Sequence, residues 1–136
     1  AQKREGVGWT PLGRFSNLSW KFRSEGVVRA RPAAPWRHIR ADDGWCDDPR
    51  SGVYNKEIKL PSRRGHERMW RDDRKYDAVG IMDYNIRERK LGFGSAIFFH
   101  ICGDEFESTA GCVALNARDM QKILPRLAKD ATLIIA

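Results

Sequence analysis

No stretch of this chain approaches the ~18 consecutive apolar residues that a transmembrane helix needs, and the first residues, "AQKREG", hold no apolar core of an export signal. A soluble chain is expected, and its abrupt charged start leaves room for a signal or a first strand ahead of it. Histidine is scarce, with three copies, and two of them, His38 and His66, have no Cys, Asp and Glu clustered at ligand spacing. That argues against a zinc site, and the expected cofactor set is empty. Cysteine is equally scarce. Three thiols, Cys46, Cys102 and Cys112, are an odd number, so at least one stays outside any intramolecular disulfide and the redox compartment is left open. Repeats and low-complexity tracts are absent. Acidic residues are in deficit, 18 against 25 Lys+Arg, and the resulting charge of +7 favours anionic surroundings such as nucleic acid, an acidic membrane surface or a carboxylate-rich polymer. Arg and aromatic residues interleave in "PSRRGHERMWRDDR", but no helix-turn-helix, RNP-type or zinc-finger pattern accompanies them. A nucleic-acid-binding domain is therefore the weaker reading, and the basic runs read as solvated faces.

What is present is a globular balance, 41% hydrophobic and 32% charged over 136 residues, which fits one domain spanning 1–136. Residues 14–31 carry even-spaced apolar positions from Leu18 through Trp20 to Phe22, then a Glu25-Gly26 turn and Val27-Val28, the pattern of a hairpin. Residues 32–53, rich in Pro, Asp and Gly, read as a long surface connection, and long connections in compact domains are often functional. Two strand-like runs, 75–85 and 94–101, predict a central pair. A helix is expected after Asn116, its N-cap, with Asp119 in the first turn and Met120, Ile123, Leu124 and Leu127 on one face. Pro125 bends or ends it, and residues 131–135 close the chain as a strand. A second, weaker helix fits 65–74. The expected class is mostly β, with one or two short helices.

Chemistry concentrates in "HICGDEFESTAGCVAL" (100–115). His100 ends a strand, and Cys112 follows twelve residues later, directly behind Gly111 and four residues before the N-cap. A loop of that length can return the thiol to the imidazole. An ordinary thiol, with a pKa near ~8.5, is only a few per cent thiolate at neutral pH, so a nucleophilic cysteine needs a base beside it. His100 is that base in the catalytic reading. The bland alternative is a buried structural thiol and a satisfied histidine. Gly111 allows a backbone turn that lets N–H groups around 110–112 face a developing oxyanion, so Ala110, Gly111 and Cys112 form the candidate oxyanion hole.

The segment "GSAIFFHICGDEFESTAGCVAL" (94–115) resembles the active-site segment of the L,D-transpeptidase catalytic domain, the YkuD-type family. A strand ending in His precedes a Ser/Thr-X-Gly-Cys motif, matched here by His100 and by Thr109, Ala110, Gly111 and Cys112. Similarity extends through "KREGVGWTPLGRF" (3–15), "DGWCDDP…YN" (43–55), "GHERMWRDD..YD" (65–77) and "DYN" (83–85). Ala110 stands where many members have His, Ala114 where many have Arg or Asn, and the loop from His to Cys is short, which marks a divergent branch.

The resemblance implies a YkuD-like β-sandwich and a cysteine acyltransferase with Cys112 as nucleophile and His100 as acid and base. Its partners would be peptidoglycan stem peptides, with carbapenem-type β-lactams as covalent inhibitors, in the periplasm or cell envelope of a bacterium. Hydrolytic L,D-carboxypeptidase or endopeptidase chemistry is the neighbouring alternative. Thr109 in the motif, Tyr84 and Asn85 before the catalytic strand, Trp45, Tyr54 and Asn55 in the long connection, and His66 are candidates for binding the stem peptide; the pair His66-Glu67 could orient a substrate group, against the plainer reading of a helix surface. Cys46 and Cys102 could pair in an oxidising envelope, with free thiols slightly favoured.

Overall fold

The computed structural model describes residue 5, residues 10–102 and residues 111–136, with the backbone alone at 17 and 18. Its elements in chain order are β1 (Gly13–Phe22), β2 (Trp36–His38), β3 (Asp43–Cys46), β4 (Glu57–Lys59), β5 (His66–Arg68), β6 (Ala78–Met82), β7 (Phe98–Ile101), β8 (Val113–Leu115), α1 (Ala117–Ile123) with a 3-10 turn at Leu124–Arg126, and β9 (Thr132–Ile135). The mostly-β expectation holds, with one short α-helix.

The long first strand organises the larger sheet. Its first half pairs antiparallel with β9, and its second half lies between β6, antiparallel, and β2, parallel. β7 continues outward from β6, and β8 lies parallel to β7 at the edge. β3, between β4 and β5, forms a separate three-stranded sheet. Side chains alternate across a strand, and β6 and β7 show what that does when both faces are covered. Ala78, Met82, Phe99 and Ile101 join a core with Phe15, Trp20, Phe22, Met120 and Leu124, under the helix. Val79, Ile81 and Phe98 turn the other way, to Ile39, Trp45, Met69 and Tyr76, under the small sheet. Strands buried on both faces read as continuous apolar runs, which is why 75–85 and 94–101 stood out in the sequence. Gly80 of β6 lets the Trp20 ring lie across the sheet, where an added Cβ would meet ring carbons at 3.0 Å.

Three expectations change. The hairpin in 14–31 is instead one strand followed by a turn, with Gly26 N–H donating to the Arg23 carbonyl at 3.1 Å, and Val28 is buried in the core outside any strand. The partner of β1 is the distant, parallel β2, so local spacing carried no sign of it; the side chain of Leu18 lies outside the described residues. The long connection 32–53 contains β2 and β3. Residues 65–74 are not a helix: β5 occupies 66–68, because pairing with β3 satisfies its backbone and overrides the helix preference of Glu, Arg and Met. The later elements are as expected. Asn116 Oδ1 accepts from Asp119 N–H at 2.8 Å, Met120 and Leu124 are fully buried, and the 3-10 turn ends the helix at Pro125.

Candidate active site

Parallel pairing of β7 with β8 sets the geometry. The register places Phe99 opposite Val113 and His100 opposite Ala114. One residue earlier, Phe98 N–H points at Cys112 Sγ, 3.4 Å away. Cys112 therefore projects on the same face as Phe98 and His100. Two residues along a strand and one strand across correspond to about 8 Å between the α-carbons of Cys112 and His100. Both side chains leave the sheet on one side, so they stand on one face.

His100 is buried, and its Nδ1 lies 2.7 Å from the Ile101 carbonyl. A carbonyl only accepts, so Nδ1 carries the proton and Nε2 is left as the basic nitrogen. Burial pushes the His100 pKa below its ordinary value, and the charges of Lys75 and Arg71 act in the same direction, against the bond to Ile101 and the charge of Asp73. The resting imidazole is thus neutral near pH 7, the form a general base requires.

Cys112 is half-buried against the Trp45–Phe98 core. Its S–H donates to the Ala96 carbonyl at 3.2 Å, while Phe98 N–H faces the sulfur. The first contact orients the thiol, and the second favours the thiolate once the proton leaves. Ala96 holds φ +53°, an unusual conformation for a residue with a Cβ, and its N–H donates to Asn55 Oδ1 at 3.1 Å. Such a residue costs ~1–2 kcal/mol and persists where its surroundings fix it. Gly111 has φ +103°, a conformation side chains resist, so glycine is required directly before the thiol.

Asn55 is the centre of a buried network. It accepts from Trp45 Nε1–H at 2.9 Å and donates to the carbonyls of Tyr84 and Asn85 at 3.1 and 2.8 Å. Asn85 in turn donates to the Lys90 and Gly94 carbonyls. The Tyr54 hydroxyl accepts from Gly94 N–H and donates to Glu5, which also accepts from Ser95. The structure thus brings Trp45, Tyr54, Asn55, Tyr84 and Asn85 together, with their polar groups used by one another, by Glu5 and Lys90, and by the 93–96 segment. They enter the site from beneath, and all but the half-buried Tyr84 are closed to solvent. His66 is exposed on the outer face of β5, with Nδ1 2.8 Å from the Arg64 carbonyl. Thr109 and Ala110 lie outside the described residues, as does the rest of the loop 103–110. Cys46 and Cys102 are buried free thiols.

Two further residues complete this face: Tyr76, to which nothing in the sequence pointed, and Glu67, which stood out there only as the neighbour of His66. Tyr76 is buried with its ring edge-on to His100, centroids 5.5 Å apart, and to Phe98 at 5.8 Å. Its hydroxyl donates to Glu67, which β5 turns inward while His66 and Arg68 turn out. Period-two reading of "HERM" separates Glu67 from His66, since Met69, on the same parity as Glu67, is fully buried. Among the described residues no group of three or more His, Cys, Asp or Glu side chains is placed to hold a metal.

Residues 2–135 match the family model of the L,D-transpeptidase catalytic domain, YkuD. No curated protein and no solved structure matches the chain. With a match that runs through both sheets and includes the His100 strand and the Gly111-Cys112 turn, the chain belongs to the YkuD family of L,D-transpeptidase catalytic domains.

Proposed function

We propose that this protein is a peptidoglycan L,D-transpeptidase that joins stem peptides through a thioacyl intermediate on Cys112. The observation that carries the reading is the shared face of β7 and β8, with a thiol at Cys112 and an imidazole at His100 whose Nδ1 is committed to a backbone carbonyl. Nε2 takes the thiol proton. The sulfur attacks the carbonyl of the L-configured residue in an L,D peptide bond, and a C–S bond forms as the carbonyl electrons move onto oxygen. Backbone N–H groups of Ala110, Gly111 and Cys112 are assigned to that oxyanion. His100 returns the proton to the departing D-amino acid as the C–N bond breaks. An amine of a second stem then attacks the thioester, His100 takes a proton from it, and the thiolate leaves.

The buried network holds this site from below. Asn55 fixes Ala96, Ala96 fixes the thiol, and Trp45 packs edge-on to Phe98 at 5.1 Å. Tyr54, Tyr84 and Asn85 shape the groove for the stem peptide through the segment they hold, with Thr109 and His66 assigned to its rim. The surplus of basic residues suits a carboxylate-rich wall polymer, and a cell-envelope location follows from that substrate. Incubation with purified peptidoglycan, read by mass spectrometry, tests the reading. Cross-linked dimers that vanish in Cys112→Ala are expected; products of hydrolysis alone assign the protein as a carboxypeptidase or endopeptidase instead, and unchanged material contradicts both.

A further inference from the structure

β5 places a carboxylate where the active face meets the small sheet. Glu67 lies opposite Trp45 in the register, so both side chains share the face that packs on Phe98. Tyr76 bridges from Glu67 to the dyad: its hydroxyl donates to Glu67 Oε1, its ring rests against His100, and Cys112 lies within its electrostatic reach.

A largely buried carboxylate ordinarily has a cation of its own. Arg71, the described cation whose charge acts on Glu67, is occupied elsewhere. Arg71 donates from Nε to both oxygens of Asp73 at 3.1 Å and from Nη2 to Oδ2 at 2.5 Å, and it reaches Glu67 Oε1 only at 3.8 Å, beyond hydrogen-bond distance. Glu67 Oε2 accepts no hydrogen bond from any described residue, and the side chain keeps 26% of its surface open. Asp47 and Asp73 add negative charge around it, and burial holds the Glu67 pKa above the usual carboxylate value. The group therefore has an unused oxygen, access and a field that attracts cations, and it is more basic than an ordinary carboxylate.

We propose that Glu67, oriented by Tyr76, is the subsite for the ammonium group of the acceptor in the second half of the reaction. The inference rests on the transpeptidase reading and adds to it the residue that captures and deprotonates the incoming amine. A primary amine arrives protonated, with a pKa near ~10, and an ammonium has no lone pair with which to attack. Glu67 takes one proton, breaking an N–H bond and forming O–H. The freed lone pair makes the C–N bond to the thioacyl carbonyl, the C–S electron pair returns to sulfur, and a second N–H proton passes to His100 and on to the thiolate. The Glu67 proton goes to water. Thioester and ammonium thus yield amide, thiol and one released proton.

The test is how the thioacyl-enzyme partitions between an amine and water. A stem tetrapeptide serves as donor, and two acceptors are compared: D-alaninamide, a cation without a carboxylate, and hydroxylamine, an amine uncharged at neutral pH. Glu67→Gln keeps an oxygen for the Tyr76 hydroxyl but removes the charge. The concentration of D-alaninamide needed to match hydrolysis should rise about tenfold or more, the worth of one charge-assisted contact, while that of hydroxylamine changes by less than about twofold. Equal changes for the two acceptors, or none, overturn the subsite. If Glu67→Gln does not fold, Tyr76→Phe carries the test, with the same selective loss expected and an equal loss for both acceptors overturning it. Absence of any thioacyl adduct on Cys112 in the unsubstituted protein overturns the transpeptidase reading itself, whereas a normal adduct with unselective partition overturns the subsite alone.

Discussion

Replacing Asn55 by glycine tests whether the buried network holds the nucleophile. Asn55 is 1% exposed and makes four side-chain hydrogen bonds, with Trp45, Ala96, Tyr84 and Asn85. Its φ of +57° is one that glycine adopts freely, so Asn55→Gly removes the side chain without adding backbone strain. At about 1 kcal/mol for each lost bond, the variant should be destabilised by about 4 kcal/mol, since its former partners stay buried without replacement. For a domain of this size, ~3–4 °C per kcal/mol makes that a fall in Tm of about 12–16 °C. Thermal melting followed by circular dichroism measures it. A second readout bears on function. With Asn55 gone, Ala96, whose carbonyl accepts the Cys112 S–H, loses the anchor on its N–H, so acylation measured well below the variant's Tm should slow by about tenfold or more. A Tm within 3 °C of the unsubstituted protein, or undiminished acylation in the folded variant, would refute the reasoning.

The lowered His100 pKa makes a signed statement about pH. The unfolded chain takes up this proton near pH ~6.5 and the folded chain only below that, so His100 costs stability as pH falls through that value and adds no further cost once the folded imidazole is also charged. The acid limb of acylation should accordingly lie below pH ~6.5, and a limb well above it in a pH–rate profile contradicts a neutral resting imidazole. A carbapenem should add one drug mass to the intact protein, an increment lost in Cys112→Ala; an adduct elsewhere refutes the nucleophile assignment. Gly80→Val forces a side chain into the Trp20 ring and should cost about 1–3 kcal/mol in denaturant unfolding. A neutral result there contradicts the packing of β6 on β1.

The parts of the fold legible in the sequence are those with a local cause. The Asn116 cap and the apolar stripe of α1 lie within a few residues of one another, and the doubly covered β6 and β7 announce themselves as continuous apolar runs. β2, β3 and β5 were hidden because three or four residues carry too little periodicity, and their stability comes from partners far along the chain. The site divides in the same way. Gly111 before Cys112 marks a turn, and His100 closes an apolar run, so both stand out in sequence. Tyr76 does not, and Glu67 does so only as the neighbour of His66, because the place of both beside His100 depends on how the small sheet packs over the large one. His66 drew attention beside Glu67, yet a strand presents the two to opposite faces, and only Glu67 is turned inward.

In the proposed reaction Cys112, served by His100, carries the acyl group between two peptides. Brief incubation of the protein with a stem tetrapeptide, acid quenching and intact-mass spectrometry with peptide mapping measure this directly. A mass increase equal to the acyl fragment without its D-amino acid is expected, located on Cys112, suppressed in His100→Gln and consumed when an amine is added. No increase in active protein, or an increase mapped to Cys46 or Cys102, would contradict it.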